Sequence, residues 1–297
     1  MIEFEKPMPI EDYKREFYAG KHQTEYNICR FCEDKEKFAR EWLQKQVPGI
    51  DIDNPKNIVD RIGYCKIYDK NPIKQDWTDK IRALELLFNE GMDELIIQPQ
   101  FVDRNYLTEH NYYWHLSNNT NYILRCNHGS GWNMKFRKED SFNPEYLIRK
   151  SHEWCNLNYA YISGYEWQYE AIQPGIVIQP DLGELLNWEF WCENGEIVNI
   201  CRAKKLKKNI MQYLSWYDRD GNPPEWYIGV KPLNFKVMSQ KEREILNRMI
   251  PYVEHLCKGF KFVRVDLYSI NNEVKFSEMT FTPCSGKLDL KWVKDEH

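Results

Sequence analysis

Phe262-Val-Arg-Val-Asp-Leu-Tyr268, followed by Val274-Lys-Phe-Ser-Glu-Met-Thr-Phe-Thr-Pro-Cys-Ser-Gly286, is the stretch that decides how this chain is read. Both parts alternate at strand period, with Val263, Val265 and Leu267 on one face and Arg264, Asp266 and Tyr268 on the other. Asn271-Asn272 supplies a turn, so the two parts form a β-hairpin. A two-residue loop sets Asp266 opposite Ser277. A three-residue loop (Asn271 to Glu273) sets it opposite Glu278, on the face shared with Arg264, Phe276 and Thr280. Opposed β-carbons lie about 5 Å apart. Two carboxylates at that distance repel unless a divalent cation joins them. The alternative is a solvated face whose charges do nothing.

The 297 residues suffice for one large domain or two closely joined ones. A net charge of −4 gives no general basic field, so nucleic acid is not an expected partner. The one strong positive cluster is Arg202-Ala-Lys-Lys-Leu-Lys-Lys208, either a solvated face or a receiver for a nucleotide-sugar or polyanionic glycan. Aromatics at 15% suit broad concave or carbohydrate-facing surfaces as well as ordinary packing. No apolar run approaches the roughly 18 residues a membrane span needs. The polar start Met1-Ile-Glu-Phe-Glu-Lys6 has no leader core, and nine cysteines lack a framework, so a cytoplasmic protein with reduced thiols is expected. Cys29-Arg-Phe-Cys32 is not matched by a second pair and reads as two packed thiols.

Along the chain, helices are expected at Lys35–Gln46, from Asn57 to Asn71-Pro72, from Thr78 to Asn89 with Gly91 as the stop, at Pro144–Asn156, and from the capping box Ser239-Gln-Lys-Glu242 to Gly259. Pro251 is expected to kink the last of these. Strands are expected at Leu95–Pro99, Tyr122–Asn127, Met134–Phe136 and Ile176–Leu182, with a hairpin turned at Asn194-Gly195. Tyr122-Ile-Leu-Arg-Cys-Asn127 runs into His128-Gly-Ser-Gly-Trp-Asn133 and then a second strand. That setting differs from the strand-to-helix context of a Walker or dinucleotide loop. The loop is either a plain hairpin turn or a lid whose amides face phosphates. His128 reads equally as a base or as a loop anchor, and His152 and His255 as structural.

Five ordered pieces together resemble a known family: Arg125-Cys-Asn-His-Gly-Ser-Gly131, Ser163-Gly-Tyr-Glu-Trp-Gln-Tyr169 with Ile172 and Pro174, Cys192-Glu-Asn-Gly195, Gly259–Tyr268 and Glu278–Gly286. They are similar to the TupA-like (teichuronopeptide-synthesis-like) branch of the ATP-grasp superfamily. Lys66-Ile-Tyr-Asp-Lys-Asn-Pro72 with Asp79-Lys80 looks like that branch's amino-terminal segment. The resemblance covers about residues 58 to 290, behind a mostly helical extension over about 1–57.

The resemblance implies an α+β fold with two lobes whose antiparallel sheets enclose a nucleotide cleft. It implies a small glycine-loop lobe over about 120–180 and a C-terminal lobe over about 181–290. ATP and Mg²⁺ are the implied cofactors. The implied activity is a carboxylate–amine ligase of bacterial surface polysaccharide (capsule, O-antigen or teichuronopeptide type), working through an acyl phosphate. A sugar or nucleotide-sugar/glycan acceptor and an amine or amino-acid co-substrate are the implied partners. Carried over by position, Asp266, Glu278 and Thr280 bind metal, and Arg264 offsets phosphate charge. Gly129, Ser130 and Gly131 form the phosphate lid, Arg125 stands at a phosphate-binding lysine, Gln179 lies at the adenine-side hinge, and Asn133 and Leu182 also bind the nucleotide. His128 is a candidate base. Trp132, Gly175, Gln179 and Glu189 depart from the family's usual residues, and Glu189 reverses a charge for which Lys135, Arg202, Lys204 and Lys205 are the candidates to compensate. Two other readings stay open: transfer of phosphate to a sugar hydroxyl, and a glycan-binding pseudo-ligase that hydrolyses no ATP.

Overall fold

The computed structural model describes residues 21–105, 107, 120–137, 144–183, 185–207, 210–271 and 273–296. Seven α-helices occur among them: α1 (Lys21–Phe31), α2 (Lys35–Gln46), α3 (Ile58–Tyr68), α4 (Ile73–Thr78), α5 (Lys80–Asn89), α6 (Pro144–Cys155) and α7 (Gln240–Leu256). Local chemistry sets their ends. The Asn57 side chain accepts from the amides of Val59 and Asp60 at the start of α3. Ser239 and Glu242 form the expected capping box on α7. The helix expected from Thr78 to Asn89 is α5, which starts at Lys80, where the Asp79 carboxylate accepts from the Ile81 amide at 2.9 Å; the short α4 that Asp79 ends was not expected. None of the described helices is long and apolar enough to cross a membrane.

The chain divides into two compact units: Met1–Trp42, Pro72–Leu86 and Ile97–Leu182 in one, Leu43–Asn71, Leu87–Ile96 and Gly183–His297 in the other. The first holds a four-stranded antiparallel sheet of order β1-β4-β2-β3, made of β1 (Phe101–Asp103), β2 (Asn121–Cys126), β3 (Asn133–Arg137) and β4 (Ile176–Pro180). Tyr122, Leu124, Phe136, Ile176 and Ile178 pack there with Leu147 and Trp154 of α6. The strand expected at Leu95–Pro99 is absent. Pro99 has no amide to donate, and pairing begins where the Gln100 amide reaches Ile178 at 2.8 Å.

The second unit is built on a five-stranded antiparallel sheet of order β10-β9-β5-β6-β7. Its strands are β5 (Leu186–Glu193), β6 (Glu196–Lys207), β7 (Ile210–Tyr217), β9 (Phe262–Ile270) and β10 (Glu273–Thr280), while β8 (Trp226–Ile228) pairs with β11 (Leu290–Trp292). The hairpin between β5 and β6 turns at Asn194 and Gly195, both with positive φ, as a tight two-residue turn requires. Both faces of this sheet are covered. On one, Trp191, Trp216 and Phe262 meet Ile58, Val59, Ile62 and Cys65 of α3. On the other, α7 packs over β9 and β6. The alternative of a solvated hairpin face is not found at Asp266, which is buried, while the end of the hairpin nearest its turn stays partly exposed.

Candidate active site

The turn between β9 and β10 joins Ile270 to Glu273 across two residues, with Asn271 at φ 48°. Taken alone, that loop would set Asp266 against Ser277. The register shifts by one between Phe276 and Glu278, and Glu278 comes to stand opposite Asp266. A two-residue turn and a β-bulge at Ser277 together produce the pairing that the three-residue loop had promised. Thr280 lies opposite Arg264. On the other side of β9, Glu189 of β5 pairs with the same Asp266. Opposed residues share a face, so Glu278, Asp266 and Glu189 form one row across three strands.

Arg264 serves all three acids. Its Nε and Nη2 each lie 2.7 Å from the Asp266 oxygens, a bidentate fork. Nη1 is 3.9 Å from Glu189 and Nη2 is 3.7 Å from Glu278. Asn187 donates to Glu189 at 3.3 Å, and the Thr280 hydroxyl donates to Glu278 at 3.4 Å. Asp266 is 3% exposed and Glu189 6%, while the Glu278 side chain keeps 31%. Three carboxylates thus face one guanidinium in a mostly dry place. Burial, opposed by Arg264 and reinforced by Glu189 and Glu278, pushes the Asp266 carboxyl up to about 8. The same acids hold Arg264 firmly protonated against its burial. Burial and nearby Glu189 also raise Cys201 and Tyr213.

This donor set suits a hard divalent cation in two respects: its ligands are oxygens, and its buried charge is in surplus on the negative side. Among the described residues, no three acidic, histidine or cysteine side chains converge as a ready cation cage. Arg264 stands between the acids, and both Asp266 oxygens are in its fork.

In the first unit, β2 and β3 pair as the sequence implied, with Arg125 opposite Asn133. The loop between them is not uniformly open. Gly129 is buried under the Trp132 ring, where a β-carbon would collide, and its carbonyl accepts from Lys80 Nζ at 2.7 Å. Trp132 and Gly129 are therefore matched residues, and the expected close approach of phosphate at Gly129 is closed on that side. Ser130 and Gly131 remain exposed, Gly131 at φ 73°. Among the described residues, no carbonyl accepts from their amides. The half-buried Arg125 guanidinium likewise has no carboxylate partner among them.

Other expected residues have structural duties. His128 is 2% exposed, with Nδ1 3.0 Å from the Asn127 side-chain oxygen and Nε2 3.0 Å from the Trp154 carbonyl. Burial holds its pKa below the ordinary value. With both nitrogens engaged it anchors the loop, and the expectation of a base at this position is withdrawn. Gln179 donates to the Ile97 carbonyl at 2.7 Å, and Leu182 is exposed. A side chain at Gly175 would meet the Asp103 carbonyl at 2.7 Å, so this position leaves no room for one. Lys135 is paired with Asp181 at 2.8 Å, and Arg202 is paired with Glu242 and lies on the Trp188 ring. Neither of these two stands ready to offset Glu189; the Lys205 side chain lies outside the description. All nine cysteines are free thiols, Cys29 and Cys32 among them.

Two lysines quoted for the resemblance without a role prove to be anchors. Lys66, 1% exposed, donates to the Ser285 carbonyl at 2.9 Å, next to the left-handed residues Cys284 and Ser285. Lys80 holds the glycine loop. The position of Glu189 in the acid row was also not foreseen, and the only local signal for it was the alternation of Trp188-Glu-Phe-Trp191.

Helices with antiparallel sheets in this order define an ATP-grasp fold. The chain belongs to the TupA-like ATPgrasp family, whose model matches residues 60–295. No curated protein matches it in sequence. Among solved structures it is similar to the D-alanine–D-alanine ligase of Bacillus anthracis complexed with ATP, at 13% identity and a TM-score of 0.39, covering 69% of this chain and 55% of that one. It is similar to the ATP-grasp ligase PsnB complexed with minimal precursor, at 12% identity and a TM-score of 0.39, covering 71% and 53%. A third, the L-amino acid ligase of Bacillus licheniformis, has 9% identity and a TM-score of 0.36, covering 76% and 43%. The chain spans about half the length of these ligases. Likeness this slight says nothing of activity.

Proposed function

We propose that this chain is an ATP- and Mg²⁺-dependent ligase that joins a carboxylate to an amine on a surface-polysaccharide precursor in the cytoplasm. The observation that carries the reading is the row of Glu189, Asp266 and Glu278 around Arg264, set in a chain of the TupA-like ATPgrasp family. Asp266 and Glu278 would hold the metal, with Thr280 beside them, and the metal would neutralise phosphate charge. Arg264 would face the transferred phosphoryl oxygens. Arg125 and the amides of Ser130 and Gly131, which lack partners among the described residues, would hold phosphate. A carboxylate oxygen attacks the γ-phosphorus, giving an acyl phosphate and ADP. The amine then attacks the acyl carbon, and phosphate and one proton leave.

Glu189 supports a second reading, a glycan-binding relative that does not hydrolyse ATP, because a third carboxylate in the row repels phosphate. One set of measurements separates the readings. ADP release that needs both a uronic-acid carboxylate and an amine is the outcome expected here. Release with a hydroxyl acceptor alone would indicate phosphotransfer, and binding without release the pseudo-ligase. Asp266→Asn with Glu278→Gln should abolish Mg²⁺-dependent nucleotide binding in titration calorimetry while far-ultraviolet circular dichroism stays unchanged. Equal nucleotide affinity in that double variant would remove the basis for the assignment.

A further inference from the structure

The first unit contains a cavity of about 380 Å³ that the acid row does not explain. That volume is near the lower end of ligand pockets, which span roughly 300–1,000 Å³. Its lining carries two opposite charges. Glu170 is half-buried, with one oxygen accepting from the Tyr161 hydroxyl at 2.7 Å and the other from Tyr165 at 2.6 Å. An ionised carboxylate has about four lone-pair sites, so two remain for a ligand. Among the described residues, no lysine, arginine or histidine pairs with it. Burial, and then Glu170, push both phenols well above the usual tyrosine range, so they remain donors that hold this carboxylate in place.

Arg30, in the last turn of α1, lines the same cavity. Its guanidinium lies over the ring of Phe31 at 5.3 Å and has no carboxylate partner among the described residues. Leu157 and Ile172, both buried, and Pro174 give an apolar wall. Tyr26 stands edge-on to Tyr161, at 5.7 Å, and its hydroxyl accepts from the Asn158 amide. A neutral sugar calls for several hydrogen-bonding groups and no pair of opposite charges. A molecule that carries an ammonium, a carboxylate and a short apolar group answers every wall of this cavity at once.

We propose that this cavity binds a small zwitterionic α-amino acid, its ammonium on Glu170, its carboxylate on Arg30 and an apolar side chain against Leu157 and Ile172. The binding stands on this geometry alone. Its role as the source of the amine rests on the ligase reading above.

The test is titration calorimetry of the full chain, without nucleotide, using L-leucine, glycine, N-acetyl-L-leucine, L-leucinamide and glucuronate. L-leucine should bind, and glycine more weakly. Blocking either charge should weaken binding by about tenfold or more, the cost of one charge-assisted hydrogen bond. Arg30→Gln, at an exposed site, and Glu170→Gln, which retains an acceptor for the tyrosines, should each do the same. Binding of L-leucine that survives both substitutions, equal binding of the blocked forms, no heat from any amino acid, or glucuronate binding in their place would overturn the proposal. MgATP titrated into the same samples keeps the two ideas apart. Nucleotide binding without amino-acid binding sinks this site only, and amino-acid binding without nucleotide binding sinks only the ligase reading.

Discussion

The hairpin β9–β10 and the hairpin β2–β3 share one topology and have opposite electrostatic characters. The first buries its charges: Asp266 and Arg264 lie on a sheet covered on both faces, and a bulge sets Glu278 beside them. The second buries the apolar side chains Leu124 and Phe136 and leaves Ser130 and Gly131 exposed at its tip. In one, the strands carry the chemistry and the turn only fixes register. In the other, the strands are scaffold and the turn carries the amides. Charge buried on a sheet is expensive and has to be answered by partners, whereas exposed amides cost little until an anion meets them.

That contrast can be broken by substitution. The largest effect is expected at Arg264. Arg264→Met leaves three acids without their cation and should lower unfolding free energy in urea by roughly 3–5 kcal/mol, the cost of breaking a buried pair. A loss under about 1 kcal/mol would mean that the row is hydrated and not a buried site. Next is Gly129→Ala, whose β-carbon runs into Trp132. It should cost about 1–3 kcal/mol, the usual range for overpacking, and Trp132→Ala in the same chain should recover most of that in thermal melts.

Arg125→Met should be the reverse case. Stability should hold within about 0.5 kcal/mol, since the guanidinium has no partner to lose among the described residues. MgATP affinity should fall about tenfold or more by calorimetry, as one charge-assisted contact to phosphate disappears.

The remaining effect is a pH slope. The Asp266 carboxyl holds its proton up to about 8 in the folded chain, against an ordinary value of 3.8. The folded state therefore binds more protons than the unfolded one between those values. This group's contribution to stability is full below about pH 4 and is lost as pH rises through about 8. Melting temperature without divalent metal should fall across that window, and Asp266→Asn should flatten the slope. Glu189→Gln should narrow the window from its upper end by removing one of the charges that raise the carboxyl. An unchanged slope in Asp266→Asn would place the proton elsewhere.

Much of this was legible in the residues. Asn57, Ser239 with Glu242, and Asn194-Gly195 announced helix starts and a turn because each acts through atoms within a few residues of itself. The pieces that resembled a family also held, since the family model spans residues 60–295. The bulge at Ser277 was less accessible. Loop length and bulge shift the register in the same direction, and the sequence does not say which of them does it.

By itself the sequence determined the alternation of β9 and β10, the capped helices, the strand–glycine–strand order and the placement of Asp266 and Arg264 on one strand face. Only the tertiary structure decided that Glu189 joins those acids, that Trp132 closes over Gly129, that Lys66 and Lys80 hold two loops, and that Arg30 and Glu170 share a cavity. Apart from the Trp132–Gly129 contact, each of these joins segments far apart in the chain. The pairing of β5 with β9 brings Glu189 to Asp266 across a long excursion that includes a second hairpin and a helix. Local propensity does not encode such a pairing. It is fixed by the burial of both sheet faces, which is a property of the whole second unit.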